Sequence, residues 1–226
     1  LNPDDDFKVI IHGWSNLFHS HPILQNRTYD INMKGVFDLI VKDSNLVCPE
    51  PYHLWTYYNQ KVSLAEAFNF EINNSSTKDL IPILHLHPNE DATAQMMIQQ
   101  AKQRYNKNKF IVFQPYGSGI NDELEDSSGR SLTQEGFEYL VKKMSKELDA
   151  VVLYMGDMKH CTIDDESILL TAKDVPGVDL RFFMSMIANS DYFVGVDSVG
   201  QHMARAFNIQ GMIIQGSTFE MNVTYP

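Results

Sequence analysis

The chain has 226 residues, of which 43% are apolar and 21% are charged, a balance typical of a globular protein. Its 29 acidic and 18 basic side chains give a formal net charge of −11, which disfavours nucleic acid as a general partner because such binding depends on clustered Lys and Arg. No apolar run reaches the roughly 18–20 residues of a membrane-spanning helix, and the distant pair Cys48 and Cys161 indicates a reducing compartment.

The amino-terminal third gives the weaker pattern of elements. Residues 7–12, FKVIIH, predict a short buried strand that ends at Gly13, and residues 23–31 predict a second, weaker extended stretch. The stretch KGVFDLIVKD, residues 34–43, fits a short helix and a strand equally well. Apolar residues at helical spacing over residues 54–68 predict one or two helices.

Strands and helices alternate clearly in the rest of the chain. Residues 83–87 predict a strand, after which Asn89 caps a helix with an acidic first turn and a basic last turn. Thr133 caps a later helix in the same way. Further strands are predicted at residues 110–115, 150–156, 166–172, 191–196 and 211–216, and further helices at 132–148, 179–190 and 200–209.

This alternation predicts an α/β fold with an open parallel sheet covered by helices on both faces. We predict a partial Rossmann-like domain at residues 1–88, a connecting helix at 89–108, and a second Rossmann-like domain at 109–226. Ligands of such sheets bind beyond the carboxyl ends of the strands, so the residues at these ends are the candidates for a site.

The strand DYFVGV runs directly into Asp197 and Ser198, and a helix follows from about Gly200. The first N–H groups of a helix lack intrahelical partners, so the amides of Ser198, Val199 and Gly200 are predicted to form a small anion cradle. Helix capping by Asp197 or Ser198 is the alternative. A nucleophile elbow is excluded because Val196 stands where its first glycine is required, and no Walker loop occurs in the chain.

Other strand ends carry residues suited to a phosphate or a sugar. Gly117 and Ser118 follow the strand at 110–115, but Asp122 stands where a dinucleotide fingerprint requires its third glycine. Arg130 precedes a helix and fits either a partner of a diphosphate or an ordinary surface residue. The remaining candidates, which fit ligand contacts or plain turns, are Gly156, Asp157, Gly216, Ser217 and Thr218.

The histidines are considered separately because His19-x-His21 and His85-x-His87 have the spacing of metal-binding pairs. No adjacent Cys, His or Glu supplies the further ligands that zinc requires, so we expect no metal site. His12, beside Trp14 at the end of the first strand, is a candidate acceptor-side group, with a core histidine as the alternative.

Taken in order, five stretches resemble glycosyltransferase family 9, the ADP-heptose:lipopolysaccharide heptosyltransferases and their relatives. They are IVFQPYGSG, RSLTQEGFEYLVKKM, VVLYMGD, FMSMIANSDYFVGVDSVGQHMARAF and GMIIQGST. The resemblance covers residues 109–218 and extends faintly to HGWSNLFHSHP and PEPYHLW. The run at residues 197–206 is its most specific element and is similar to a divergent branch, with Val199 in place of the usual glycine.

The resemblance implies the GT-B architecture, in which two Rossmann-like domains face a cleft, the carboxy-terminal one holding the sugar nucleotide and the amino-terminal one serving the acceptor. It implies that residues 197–200 hold the donor diphosphate, that Arg130 occupies a basic position of the family, and that Gly156 and Asp157 lie near the nucleoside. His202 matches a family histidine, for which we expect a supporting role behind this loop.

The implied activity is transfer of a heptose or another hexose from a nucleotide-diphosphate donor to a saccharide acceptor, with inversion and without metal or other cofactor. The implied location is the cytoplasm, including the face of the inner membrane where lipopolysaccharide is made. Family members also carry an acidic catalytic base near their start and continue beyond the GST strand. We therefore expect this chain to be truncated at both ends and to lack the base.

Two alternatives remain open at this stage. The first is a non-catalytic module of the same fold that binds a nucleotide or a sugar. The second is an enzyme similar to the nucleotide-sugar 2-epimerases, which require several carboxylates and a histidine at the cleft. Asp197 and His202 are the visible candidates for those roles.

Overall fold

The computed structural model describes residues 4–77, 80–163, 169–170, 179–223 and 225. The chain divides into two compact units. The first unit comprises Leu1–His85 with Phe219–Pro226, and the second unit comprises Leu86–Thr218. The helix predicted as a connector is thus grouped with the second unit. The predicted three-part domain division stays a prediction.

The first unit contains a small parallel sheet. β1 (Val9–Ile11) pairs in parallel with β2 (Thr28–Asp30), and Val9 lies opposite Thr28. The strand predicted at residues 7–12 is therefore confirmed over Val9–Ile11, but it is half-buried rather than buried. The weaker stretch at 23–31 contributes a strand of three residues. A 3-10 turn, Ser15–Phe18, lies between the two strands in the chain.

Short helices make up the rest of the first unit. The stretch that fitted a helix or a strand forms a π-helical turn at Phe37–Val41. A 3-10 turn at Pro51–His53 precedes α1 (Trp55–Tyr58) and α2 (Leu64–Asn73), which confirm the helical spacing of residues 54–68. α2 starts with a capping box, in which Ser63 and Glu66 accept each other's backbone N–H groups.

The last described helix of the chain also belongs to the first unit. It covers Glu220–Val223. The side-chain amide of Asn222 donates hydrogen bonds of 3.0 Å to the carbonyl oxygens of Tyr57 and Val62. These two bonds tie the carboxy-terminal residues to α1 and to the turn that precedes α2.

The second unit begins with a long helix, α3 (Pro88–Tyr105). Residues 83–87 form no strand in the structure, so this strand prediction is wrong, and the cap is His87 rather than Asn89. Pro88 occupies the first helical position, which proline favours, and the residue before a proline is pushed into an extended conformation. His87 Nδ1 accepts the N–H of Asn89, and Glu90 accepts the N–H of His87.

A five-stranded parallel sheet forms the centre of the second unit. Its strands are β3 (Lys109–Gln114), β4 (Ala150–Tyr154), β5 (Leu169–Leu170), β6 (Tyr192–Val196) and β7 (Gly211–Ile214). Their order in the sheet is β5-β4-β3-β6-β7. The predicted open parallel sheet is therefore confirmed. Of the strand predicted at residues 166–172, only Leu169–Leu170 lies in the described part of the chain, where it forms β5.

Helices pack on this sheet as the apolar pattern predicts. They are α4 (Gln134–Glu147), α5 (Leu180–Ala188) and α6 (Val199–Ala206). The predicted cap of α4 is confirmed, since Thr133 Oγ1 accepts the N–H of Gly136 at 3.2 Å. Ile111 and Phe113 pack in one buried cluster with Phe137 of α4. The residues of β3 that alternate with Ile111 and Phe113 point to the opposite face of the sheet.

A buried ion pair joins α3 to α5. The Arg181 guanidinium contacts both carboxylate oxygens of Glu90, with Nε donating to Oε1 at 2.6 Å. Arg181 is only 8% exposed. These hydrogen bonds lower the pKa of Glu90 below its usual value, although burial opposes the shift. Because Glu90 also caps the start of α3, the pair fixes both helices at once.

We expect Arg181→Met to lower the free energy of unfolding by about 2–3 kcal/mol, because Glu90 then keeps a partly desolvated charge without its partner. The double variant Glu90→Gln/Arg181→Met should recover part of this loss, since no unpaired charge remains. Urea unfolding at neutral pH measures all three proteins. Lys142→Met is the control, because it breaks an exposed pair with Glu138 and should change stability by less than about 0.5 kcal/mol. A loss at Arg181 no larger than this control would contradict the prediction.

Candidate functional site

The strand order of the second unit reverses between β3 and β6. From β3 the chain passes through α4 to β4 on one side, whereas from β6 it passes through α6 to β7 on the other side. The two connections therefore diverge and leave a crevice at the carboxyl ends of β3 and β6. In open α/β sheets this is the place where ligands bind. The candidate site of this protein lies here.

Two segments bring the predicted residues to this crevice. Asp197 and Ser198 follow β6 directly, and α6 begins at Val199. Arg130 arrives from the long loop between β3 and α4, and its Nη1 donates to the backbone oxygen of Asp197 at 3.4 Å. Residues 67 positions apart in the sequence thus meet at one point of the sheet.

The predicted cradle of three amides is reduced to two. The N–H of Gly200 donates to Oε1 of Gln114 at 3.0 Å, so this amide is occupied by a protein side chain. The N–H groups of Ser198 and Val199 have no acceptor in the described part of the protein. They stand at the start of α6, where the helix dipole adds partial positive charge.

The structure gives a packing reason for the glycine at position 200. A Cβ at Gly200 would lie 2.5 Å from Gln114 Oε1 and 2.5 Å from a ring carbon of Phe193, which no real side chain tolerates. Gly200 therefore serves the close approach of α6 to β3 and β6.

The side chain of Asp197 is buried behind the segment that joins β6 to α6 and is not exposed on its surface. Its carboxylate is buried, and Oδ1 accepts a hydrogen bond of 2.9 Å from Gln201 Nε2. Oδ2 lies 4.0 Å from Nη1 of Arg130. The charge of Asp197 therefore attracts and positions Arg130. Burial lowers the pKa of His202, with Asp197 opposing the shift, so His202 is favoured in its neutral form.

The loop that carries Arg130 is organised by a carboxylate with four hydrogen bonds, Asp126. Its Oδ1 accepts from the backbone N–H and the hydroxyl of Ser128, at 2.7 and 2.5 Å. Its Oδ2 accepts from the same two groups of Ser131, at 2.8 and 2.5 Å. Burial by itself would raise the pKa of Asp126, but these hydrogen bonds outweigh it and hold the pKa well below its usual range.

The same cluster fixes the direction of the Arg130 side chain. Arg130 Nε donates to the hydroxyl of Ser128 at 3.1 Å, and Nη1 faces the backbone of Asp197. Nη2 has no partner among the described residues, and the side chain is partly exposed. One face of the guanidinium is therefore fixed and the other is available to a ligand.

The contact of Gly117 and Ser118 with a donor stays a prediction, and the structure shows that the amide of Gly117 already has a partner. The N–H of Gly117 donates to the hydroxyl of Ser131 at 2.9 Å, and Gly117 is buried. A Cβ at Gly119 would lie 2.6 Å from Asp126 Oδ1. The small residues here admit the Asp126 cluster rather than a ligand. Ser118 is exposed beside them.

The other strand-end candidates lie at two separate places. Ser217 donates through its hydroxyl to the carbonyl oxygen of Ser128, and a Cβ at Gly216 would collide with the carbonyl oxygen of Gly129. The end of β7 thus supports the loop that carries Arg130, with Thr218 next to it. Gly156 and Asp157 lie beyond β4, where Asp157 caps a 3-10 turn, Met158–His160, by accepting from Lys159.

The acceptor-side candidates belong to the first unit. His12 and Trp14 follow β1, and Trp14 is 59% exposed. Gly13 and Trp14 both have left-handed backbone conformations, with φ of +68° and +56°. The turn after β1 therefore presents an aromatic side chain outward. No interaction in the described residues assigns it a chemical role.

Three of the four paired histidines, His21, His85 and His87, make structural contacts in the described residues. His21 Nδ1 accepts from the N–H groups of Ile23 and Leu24 at 3.2 and 3.1 Å, so its proton lies on Nε2. Its ring packs edge-on against His85, at 4.9 Å between centroids. His87 caps α3 through the same nitrogen. Within the described ranges, no three His, Cys, Asp or Glu side chains group as a metal site would require.

Sequence analysis missed three residues that shape the site: Gln114, Asp126 and Ser131. Gln114 was visible as an amide at the end of an apolar strand, IVFQ. Asp126 and Ser131 carry no such signal, because they lie in a loop rich in polar residues.

A groove of about 320 Å³ also lies between α3 and α5, around Glu90 and Arg181, and none of the predicted site residues lines it.

We expect Asp126→Asn to lower the free energy of unfolding by about 1–3 kcal/mol, because one amide cannot accept the four hydrogen bonds of the carboxylate. The pKa of Asp126 is depressed by folding, so its contribution is complete above the unfolded value near 3.9 and declines as the pH falls below it. Urea unfolding of both proteins between pH 3 and pH 7 measures this difference. Glu125→Gln, a neighbouring exposed carboxylate, should show no such pH-dependent gap. A gap that is constant across this range would contradict the prediction.

No helix in the described part of the chain has the length and apolarity needed to cross a membrane.

Protein-family models and curated protein sequences give no match to this sequence. Two of the solved structures that resemble its fold are glycosyltransferases. The first is ADP-heptose lipopolysaccharide heptosyltransferase II from E. coli, at TM-score 0.50 and 13% identity over 71% of this chain and 50% of that one.

The second is a glycosyltransferase of family 9 from Veillonella parvula, at TM-score 0.51 and 12% identity, covering 73% of this chain and 47% of that one. The chain thus spans about half the length of each structure that it resembles. The two structures represent the family that the sequence motifs resemble, and this resemblance is confirmed at the level of the fold. The protein has the α/β fold with parallel sheets of GT-B-like glycosyltransferases.

Proposed function

We propose that this protein is a glycosyltransferase whose second unit binds a nucleotide-diphosphate sugar at the crevice between β3 and β6. The observation that carries the proposal is the meeting of Arg130 with the start of α6 at the point where the strand order reverses. A diphosphate is the ligand that this combination favours, because it accepts hydrogen bonds from a guanidinium and from backbone amides together.

The groups at the crevice have the polarity that a leaving diphosphate requires. Transfer of the sugar leaves negative charge on the diphosphate. Donors fixed in advance stabilise such developing charge without reorganisation. Here the donors are Nη2 of Arg130 and the N–H groups of Ser198 and Val199, and Asp126 and Asp197 hold the first of them in place. We propose that these groups stabilise the departing nucleotide diphosphate.

The finer parts of the proposal follow the sequence resemblance. The donor sugar is a heptose or another hexose, the acceptor is a saccharide such as that of a lipopolysaccharide, and transfer in one displacement inverts the anomeric carbon. Such a displacement requires a base that removes the proton of the acceptor hydroxyl. The proposal assigns this unit to donor binding, without metal or other cofactor, and assigns no base within it.

One observation favours a second candidate, a module that binds the nucleotide sugar without transferring it. The carboxylate nearest to the crevice, Asp197, is buried and hydrogen-bonded to Gln201, so it is not placed to take a proton from an acceptor. The same burial disfavours an epimerase, which would need this carboxylate exposed to substrate. Binding is common to the transferase and the module, and the formation of product separates them.

We expect at least one of ADP, UDP, GDP and CDP to stabilise the protein, because a ligand at 100 times its Kd adds about 2.7 kcal/mol to the free energy of unfolding. Arg130→Gln should weaken this binding by roughly tenfold to a hundredfold, since hydrogen bonds to charged groups contribute about 1.5–3 kcal/mol. Thermal melting identifies the nucleotide, and isothermal titration calorimetry measures its Kd for both proteins.

Arg104→Gln is the matched control. Arg104 is exposed near the end of α3, before β3 begins, and so lies at the opposite edge of the sheet. Its replacement removes the same charge and should leave the Kd unchanged. If no nucleotide diphosphate binds the wild-type protein, or if both variants weaken binding equally, the proposed site is wrong. Release of free sugar or of a glycoside from the matching nucleotide sugar distinguishes the enzyme from the binding module.

A further inference from the structure

We infer that Gln114 orients the hydroxyl group of Ser198 so that it donates a hydrogen bond into the crevice. Gln114 is the last residue of β3, and its side chain is buried between β3 and the start of α6. The inference rests on the proposed function and deepens it, because it defines the charge and hydrogen-bonding class of the ligand. Gln114 is a positioning residue, since it acts on the ligand through Ser198.

The direction of the Gln114 amide is determined by its neighbours. The N–H of Gly200 can only donate, so the side-chain atom that faces it at 3.0 Å is the oxygen, Oε1. The nitrogen, Nε2, then faces the Ser198 hydroxyl oxygen at 3.1 Å. An amide nitrogen can only donate, so the Ser198 oxygen accepts this hydrogen bond. The hydroxyl proton of Ser198 must therefore point away from Gln114.

Ser198 also lacks the usual partner of a serine at the start of a helix. A serine at the N-cap normally accepts the N–H of the second or third helical residue through its side chain. The Ser198 side chain makes no such bond, because Gln114 takes the N–H of Gly200, the second residue of α6. A residue 86 positions earlier in the chain thus does the capping and leaves the serine hydroxyl for another partner.

The hydroxyl proton of Ser198 has no acceptor in the described part of the chain. Ser198 is partly exposed at the crevice. Its hydroxyl lies next to its own backbone N–H group and that of Val199, and near Arg130. The groups identified here among the described residues, the Ser198 hydroxyl, the two amides and Nη2 of Arg130, are then all donors. A fully ionised diphosphate, which only accepts hydrogen bonds, matches this set, whereas an amine or a protonated acid does not.

A double-mutant cycle on Gln114 and Ser198 tests the inference, with the Kd of inorganic pyrophosphate and of the nucleotide diphosphate as readouts. In the wild-type background, Ser198→Ala should weaken both ligands by about tenfold, as expected for a hydrogen bond to a charged group. In the Gln114→Glu background, Ser198→Ala should change neither Kd by more than about twofold. The glutamate would accept the serine proton as well as the N–H of Gly200, and the hydroxyl would no longer face the ligand.

Gln114→Glu has two effects, the reorientation of the Ser198 hydroxyl and the added negative charge, and the cycle separates them. The added charge is present both with Ser198 and with Ser198→Ala, so it cancels when these two proteins are compared. Gln103→Glu, on the exposed surface of α3, is the control for net charge and should leave the cost of Ser198→Ala at about tenfold. If Gln114→Glu does not fold, Gln114→Met takes its place. It removes the donor that fixes the hydroxyl, and the cost of Ser198→Ala should again fall.

Two outcomes overturn different claims. If wild-type protein binds neither pyrophosphate nor any nucleotide diphosphate, the proposed function fails and this inference fails with it. If the wild-type protein binds them and Ser198→Ala costs the same factor in every background, the proposed function stands and the role of Gln114 alone is rejected.

Discussion

The candidate site depends on one side chain that bridges two elements of the sheet. The amide of Gln114 accepts from the backbone of Gly200 and donates to the hydroxyl of Ser198. This fixes the distance between the end of β3 and the start of α6, and the contact is so close that position 200 tolerates only glycine. The crevice where the strand order reverses is therefore shaped by a buried hydrogen-bond network and not by a flexible glycine-rich loop.

A second network carries the positive charge of the site. Asp126 accepts four hydrogen bonds from the loop before α4, and this loop is also held by the end of β7 through Ser217. Because the loop is tied on both sides, Arg130 is directed toward the strand end at Asp197. Asp197 thus contacts the guanidinium directly, and Asp126 acts on it through the hydroxyl of Ser128. The protein's formal charge of −11 is compatible with binding an anion here, since local donors decide the field at the crevice.

The histidine pairs show that hydrogen-bonding geometry, rather than spacing in the sequence, determines whether a histidine nitrogen can bind a metal. The pairs at 19/21 and 85/87 have the spacing of metal ligands, yet His21 and His87 accept backbone N–H groups through Nδ1. In that tautomer the other nitrogen carries the proton and cannot bind a metal. Proline acts similarly at the start of α3, where Pro88 converts an apparent strand into the approach to a helix.

The sequence by itself determined the alternation of apolar strands and helices, the parallel sheet, the cap at Thr133 and the placement of Asp197 and Ser198 at the end of β6. These follow from local periodicity and from hydrogen bonds within a few residues. Only the tertiary structure decided which polar groups face the crevice. Gln114 and Gly200 are 86 residues apart, and Arg130 and Asp197 are 67 apart. Their pairing depends on strand order and close packing, which no local pattern encodes, and it turned Asp197 from a predicted ligand contact into a support for Arg130.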